Sequence, residues 1–120
     1  MAVNTKAIVE KVNAAFAAGS TEGFLACCAD DVAWTMVSDT TVHGKDAIRQ
    51  WMASMEPMEP PKFTVHNVIA EGDFVTAYGD MTMQDKDGKV VPYAYCDISR
   101  FRGDKIVELR AFVIQTEAKY

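Results

Sequence analysis

At Phe63 the hydrophobic period of the chain changes, and that change constrains the fold more than any other feature. Before it, apolar residues recur at helical spacing. After it they alternate through four long stretches, about Lys62–Glu71, Phe74–Gln84, Lys89–Arg102 and Lys105–Thr116. Gly72-Asp73, Asp85-Lys86-Asp87-Gly88 and Gly103-Asp104 separate the stretches, and each carries turn chemistry. Helices first and an antiparallel meander afterwards predict an α+β domain, with the helices packed in the concave side of a strongly curved, mostly antiparallel sheet. Such a sheet, cone-shaped with helices across its mouth, encloses a pocket.

The helical half reads in order. Val3, Ala7, Ile8, Val12, Ala15 and Phe16 predict a first helix that Gly19 stops. Ser20 suits the N-cap of a short second helix carrying Phe24 and Leu25 to the core. Asp30-Asp31 reads as a capping and turn pair, Val32 to Val37 as a strand with Trp34 and Met36 on one face, and Thr40 to His43 as a short return strand. From Gly44 a third helix buries Ile48, Trp51, Met52 and Met55, and Pro57, Pro60 and Pro61 end it. With 120 residues, no linker and no repeat, one domain over residues 1–120 is expected.

Charge and cysteine usage exclude several function classes. The net charge is −5 with no run of Lys or Arg, which argues against nucleic acid and against anionic membrane surfaces. No apolar stretch is long enough to span a bilayer, and the amino end lacks the basic and apolar regions of a signal peptide, so a cytoplasmic location is expected. The three cysteines, Cys27, Cys28 and Cys96, are odd in number and read as small buried thiols. His43 and His66 have no Cys or His partner at ligand spacing, so neither metal nor cofactor is implied. His43, next to Gly44, suits a loop hydrogen bond; His66 reads as outward and solvated, or at a dimer seam.

Chemistry concentrates on the third and second of the long strands. Counting by twos from Asp97 puts Val91, Tyr93, Tyr95, Ser99 and Phe101 on its face, company too aromatic for a solvated acid. Tyr78 and Asp80 repeat the Tyr-x-Asp pattern and are expected to point inward too. Two acids close together in a dry cavity would split, one protonated and one ionised, and so supply Asp97 as acid and Asp80 as base. The equally open alternative is that both acids merely brace the wall through tyrosine hydroxyls. Phe16, Trp34, Met36, Trp51, Tyr78, Tyr95 and Phe101 are the candidate lining for an apolar small molecule. Val75, Ala77, Gly79, Met81 and Met83, with Ala94, Cys96 and Ile98, are expected on the convex face, which is apolar enough to bury against a second copy in a homodimer.

Four motifs in order carry a family resemblance: Ala17 to Trp34 with its paired acid, Val42-His43-Gly44 leading into the third helix, Val68 to Asp73, and Ser99 to Arg110. The chain resembles the nuclear transport factor 2-like (NTF2-like, cystatin-like) superfamily over nearly its whole length, and within it the SnoaL-like and ketosteroid-isomerase-like proteins. The resemblance implies a cone-shaped, dimeric fold and a cofactor-independent isomerase, cyclase or hydratase acting on an apolar or polycyclic substrate. The alternative within the same superfamily is a non-catalytic ligand-binding or assembly module. Asp97 falls where ketosteroid isomerases hold the protonated acid of their oxyanion hole, an arrangement known from those enzymes. Their general-base aspartate falls on Met36 and their oxyanion tyrosine on Val12, neither of which transfers a proton, so authentic ketosteroid isomerase activity is not expected. Against the limonene-epoxide hydrolases of the superfamily, Tyr78 and Asp80 occupy the arginine–aspartate pair and Ala111 replaces the last acid, so one of three charged groups survives.

Overall fold

The computed structural model describes residues 4–54, 62–85 and 87–116. Helix α1 (Thr5–Ala17) starts because the Asn4 side chain accepts a hydrogen bond from the Ala7 N–H at 3.1 Å. It ends because Gly19 takes φ 69°, which lets the Ser20 N–H reach the Ala15 carbonyl at 2.8 Å. Ser20 caps α2 (Thr21–Leu25) by accepting from the Gly23 N–H at 3.1 Å, as its residue type implies. Gly44, at φ 85°, opens α3 (Lys45–Ala53). Met55 and the prolines expected to end that helix lie outside the described residues.

Six strands form one sheet: β1 (Cys28–Met36), β2 (Thr40–His43), β3 (Lys62–Glu71), β4 (Phe74–Gln84), β5 (Val90–Arg102) and β6 (Lys105–Gln115), in the order β2-β1-β6-β5-β4-β3. Every neighbouring pair is antiparallel except β1 and β6, which run parallel. The expected meander is therefore present, and β1 closes its far side. β1 begins at Cys28, four residues before the expected start at Val32, and Asp30 and Asp31 lie inside it. These two acids are not a turn pair. Both are exposed where the β1–β6 register shifts between Cys28 and Ala33; Asp30 meets Lys45 at 3.7 Å and Asp31 holds Arg102 at 2.9 Å.

The core fills the side of the sheet that the helices cover. Val9, Val12 and Ala15 of α1, Phe24 and Leu25 of α2 and Ile48 of α3 pack with Val32, Trp34, Val75, Ala77, Phe101, Ile106 and Leu109 of the strands. Phe24, Ile48, Val32 and Ile106 are wholly buried. No helix among the described residues is long and apolar enough to cross a membrane.

Candidate functional site

Residues paired across neighbouring strands project to the same side, so the register assigns every candidate on a strand to a face. Three rows cross the concave side. Trp34 pairs with Leu109, Ser99 and then Val75; Met36 with Ala111, Asp97 and then Ala77; and Val113 with Tyr95 and then Gly79. Asp97 thus stands at the middle of the helix-covered face, between two alanines, Ala77 and Ala111. It is half-buried and receives no hydrogen bond from any described residue. Burial pushes its carboxyl up to about 7, because the ionised form loses hydration and gains no compensating partner.

Most of the expected lining gathers on this side. Phe16 lies 5.6 Å from Trp34 between ring centroids, and Trp34 meets Trp51 edge-on at 4.9 Å. Phe63 of β3 joins them, 6.4 Å from Phe16 and 5.4 Å from Tyr95. Phe63 was not among the candidates, although its place at the change of period marks it as the first inward residue of the sheet. Met36 packs against the core, and Phe101 sits deeper still, almost fully buried beside the β5–β6 turn. Trp34 Nε1 and the Tyr95 hydroxyl are buried without a hydrogen-bond partner among the described residues. Burial, followed by the charges of Asp97 and Asp80, pushes the Tyr95 hydroxyl up to about 12.

Asp80 and Tyr78 do not face this side. They pair with Ala94 and Cys96 and project from the convex face. The hairpin between β4 and β5 closes with the Asp85 N–H on the Lys89 carbonyl at 2.9 Å, so even-numbered residues of β4 face even-numbered residues of β5. Asp97 and Asp80 are therefore on opposite surfaces of the sheet. The same register moves Val75, Ala77, Gly79, Met81 and Met83 to the concave side, while Ala94, Cys96 and Ile98 are convex as expected. Asp80 is bonded to His66 Nε2 at 3.0 Å, and the His66 ring stacks on Tyr78 at 6.3 Å. A bulge between Val65 and Asn67 turns the His66 side chain outward into this pair. His66, Tyr78, Asp80, Cys96, Phe112 and Ile114 line an open, mostly apolar groove of about 530 Å³ on the convex side.

All three cysteines are unbridged, and Cys28 is buried with its thiol pushed up to about 12 by that burial. Among the described residues, no three His, Cys, Asp or Glu side chains group as metal ligands would.

A sequence profile described as the SnoaL-like domain matches residues 9–109. Solved structures of the NTF2-like fold superpose on most of the chain. An NTF2-like protein of unknown function from Cytophaga hutchinsonii is 26% identical, with a TM-score of 0.76 over 92% of this chain and 100% of that one. TerC, co-crystallised with polyporic acid, is 17% identical, with a TM-score of 0.80 over 89% of this chain and 88% of that one. A putative SnoaL-like polyketide cyclase from Jannaschia sp. is 18% identical, with a TM-score of 0.78 over 94% and 89%. A comparison with curated protein sequences finds no match.

Proposed function

Because the chain belongs to the SnoaL-like domain family, we infer that its concave face encloses a hollow for an apolar small molecule, with Asp97 as the acid that meets the ligand. One observation carries this reading. Asp97 is deep enough for burial to raise its carboxyl to about 7, yet its residue keeps accessible surface and no described donor bonds to it. A sealed core acid would be paired, and a surface acid would be hydrated. An acid that is neither borders an internal space.

Its chemistry follows from its protonation. Below about pH 7 Asp97 is a neutral donor, suited to an oxygen that gains negative charge as a carbonyl enolises. Above that pH it is an anion able to remove a proton. That is the equipment for cofactor-independent isomerisation, cyclisation or hydration through a single carboxyl group. A second reading, ligand binding without turnover, is favoured by one specific observation: the concave rows of β1, β4, β5 and β6 carry no carboxylate besides Asp97. With Asp80 on the other surface, no paired acid and base act together.

The convex face is proposed to be covered by a second copy of the chain. Ile114, Ile69 and Phe74 there keep 66%, 52% and 49% of their surface, an apolar exposure typical of an uncovered interface. Residues 1–120 would act as one domain in each copy, and free cysteines suit a reducing cytoplasm.

The test of the site is binding of 2-acetylnaphthalene, an apolar ketone that only accepts hydrogen bonds, followed by quenching of tryptophan fluorescence at pH 6 and pH 8.5. Wild-type affinity should fall at least tenfold at the higher pH, while Asp97→Asn, which keeps a neutral donor, should bind equally at both. Equal wild-type affinity at the two pH values, or the same fall in the Asn variant, would remove Asp97 from the site.

A further inference from the structure

Two hydrogen-bond donors on the concave side have no acceptor among the described residues. Trp34 and Tyr95 keep only 8% and 4% of their surface, and neither Trp34 Nε1 nor the Tyr95 hydroxyl is paired there. A buried donor left unpaired costs free energy that an apolar ring of the same shape would not. Burial alone does not require this chain to carry a tryptophan and a tyrosine here, because phenylalanine already fills the neighbouring positions Phe16, Phe24 and Phe63.

The two donors flank the acid. The row holding Asp97 lies between the row of Trp34 and the row of Tyr95. Two rows and two strands apart, they are about 16 Å from each other between Cα atoms on an ideal sheet lattice. An arc of ring contacts, Trp34 to Phe16 to Phe63 to Tyr95, joins them across the helix side. Neither donor is open to water in this packing. Met36 and Met52, flexible side chains, pack on the same core.

We propose that Trp34 and Tyr95 are a positioning pair that each donate a hydrogen bond to a ligand oxygen, so that the ligand is a planar apolar molecule bearing carbonyl-type oxygens at two edges. The proposal rests on the concave hollow being a ligand site. It adds which oxygens the site demands and which side chains read them. The pair holds the ligand with its reacting carbon over Asp97, and a plain hydrocarbon of the same shape leaves both donors unpaired.

A matched pair of probes tests it: 2,3-dimethyl-1,4-naphthoquinone, which has two carbonyl acceptors, no donor and no free position for thiol addition, and 2,3-dimethylnaphthalene. Wild type should bind the quinone at least tenfold more tightly than the hydrocarbon. Trp34→Phe and Tyr95→Phe should each lose about tenfold in quinone affinity, the worth of one hydrogen bond, with hydrocarbon affinity unchanged. Thermal unfolding of Tyr95→Phe, which removes the hydroxyl and keeps the ring, supplies a readout that a structural role would move in the opposite direction. Removing an unpaired donor should raise the midpoint, whereas loss of a bracing hydrogen bond would make this variant less stable. If the hydrocarbon binds and the variants discriminate between the probes as wild type does, the donor pair is refuted and the hollow stands. If neither probe binds wild type, the hollow itself is refuted along with the pair.

Discussion

Asp97→Asn removes a charge while keeping almost the same shape, and the structure sets both the sign and the size of the effect on stability. The folded chain holds the Asp97 proton up to about pH 7, against 3.8 for the ordinary carboxyl. Below 3.8 the group is protonated in both states and contributes no difference. Between 3.8 and about 7 the unfolded chain has released its proton and the folded chain has not, so rising pH favours unfolding. Above about 7 the penalty is complete. A shift of roughly three units at 1.36 kcal/mol each gives about 4 kcal/mol. Asn carries no such penalty, so the variant should be more stable than wild type by about 2 kcal/mol at pH 5 and about 4 kcal/mol at pH 8, on the same scale. Glu22 and Asp31, whose carboxyls are held low by Arg49 and Arg102, change stability in acid too. They are common to both proteins and cancel in the difference. The assay is urea unfolding followed by Trp34 and Trp51 fluorescence at fixed protein concentration across this pH range. A gap that does not grow with pH, or a variant less stable than wild type at pH 8, would refute the claim that Asp97 is desolvated without a partner.

Two further outcomes are expected. Gly79→Ala should unfold the protein or cost several kcal/mol, because a Cβ at this position collides with the Thr64 carbonyl of β3; a midpoint within one degree of wild type in a thermal scan would show that β3 does not pair with β4 as described. Ile114→Asp places a charge on the most exposed large apolar residue of the convex face, and should convert the proposed dimer to monomer in sedimentation without lowering helix content; an unchanged sedimentation coefficient would move the interface elsewhere.

The change of period at Phe63 and the Gly-Asp turns placed β3, β4, β5 and β6 to within a residue or so, because each strand alternates cleanly and each turn has its own chemistry. The caps at Ser20 and Gly19 were equally legible, since one side-chain oxygen and one left-handed glycine suffice. The start of β1 was not, because Asp30 and Asp31 break its apolar pattern and are held there by Lys45 and Arg102 from distant segments. The parallel pairing of β1 with β6 leaves no local signature at all. The candidate site divides in the same way. Asp97, Tyr95, Trp34, Trp51, Met36 and Phe16 share the helix-covered side, as strand parity on β1 and β5 implies. Asp80 and Tyr78 were assigned inward on the strength of a repeated Tyr-x-Asp pattern, but both faces of β4 are apolar enough to pass as interior. A signal was present: the hairpin closes between Asp85 and Lys89, with Gly88 in the left-handed region, and so pairs residues of like parity and parts Asp80 from Asp97. His66 escaped parity altogether, because the bulge before Asn67 resets it.

The account turns on whether the carboxyl in the middle of the concave sheet borders an enclosed space, and carbon-13 NMR of aspartate-labelled protein, assigned with the Asn variant, follows that group directly. Its Cγ resonance should titrate with a midpoint near 7 and shift again when 2-acetylnaphthalene is added. A midpoint in the ordinary carboxylate range, with no response to the ketone, would contradict it.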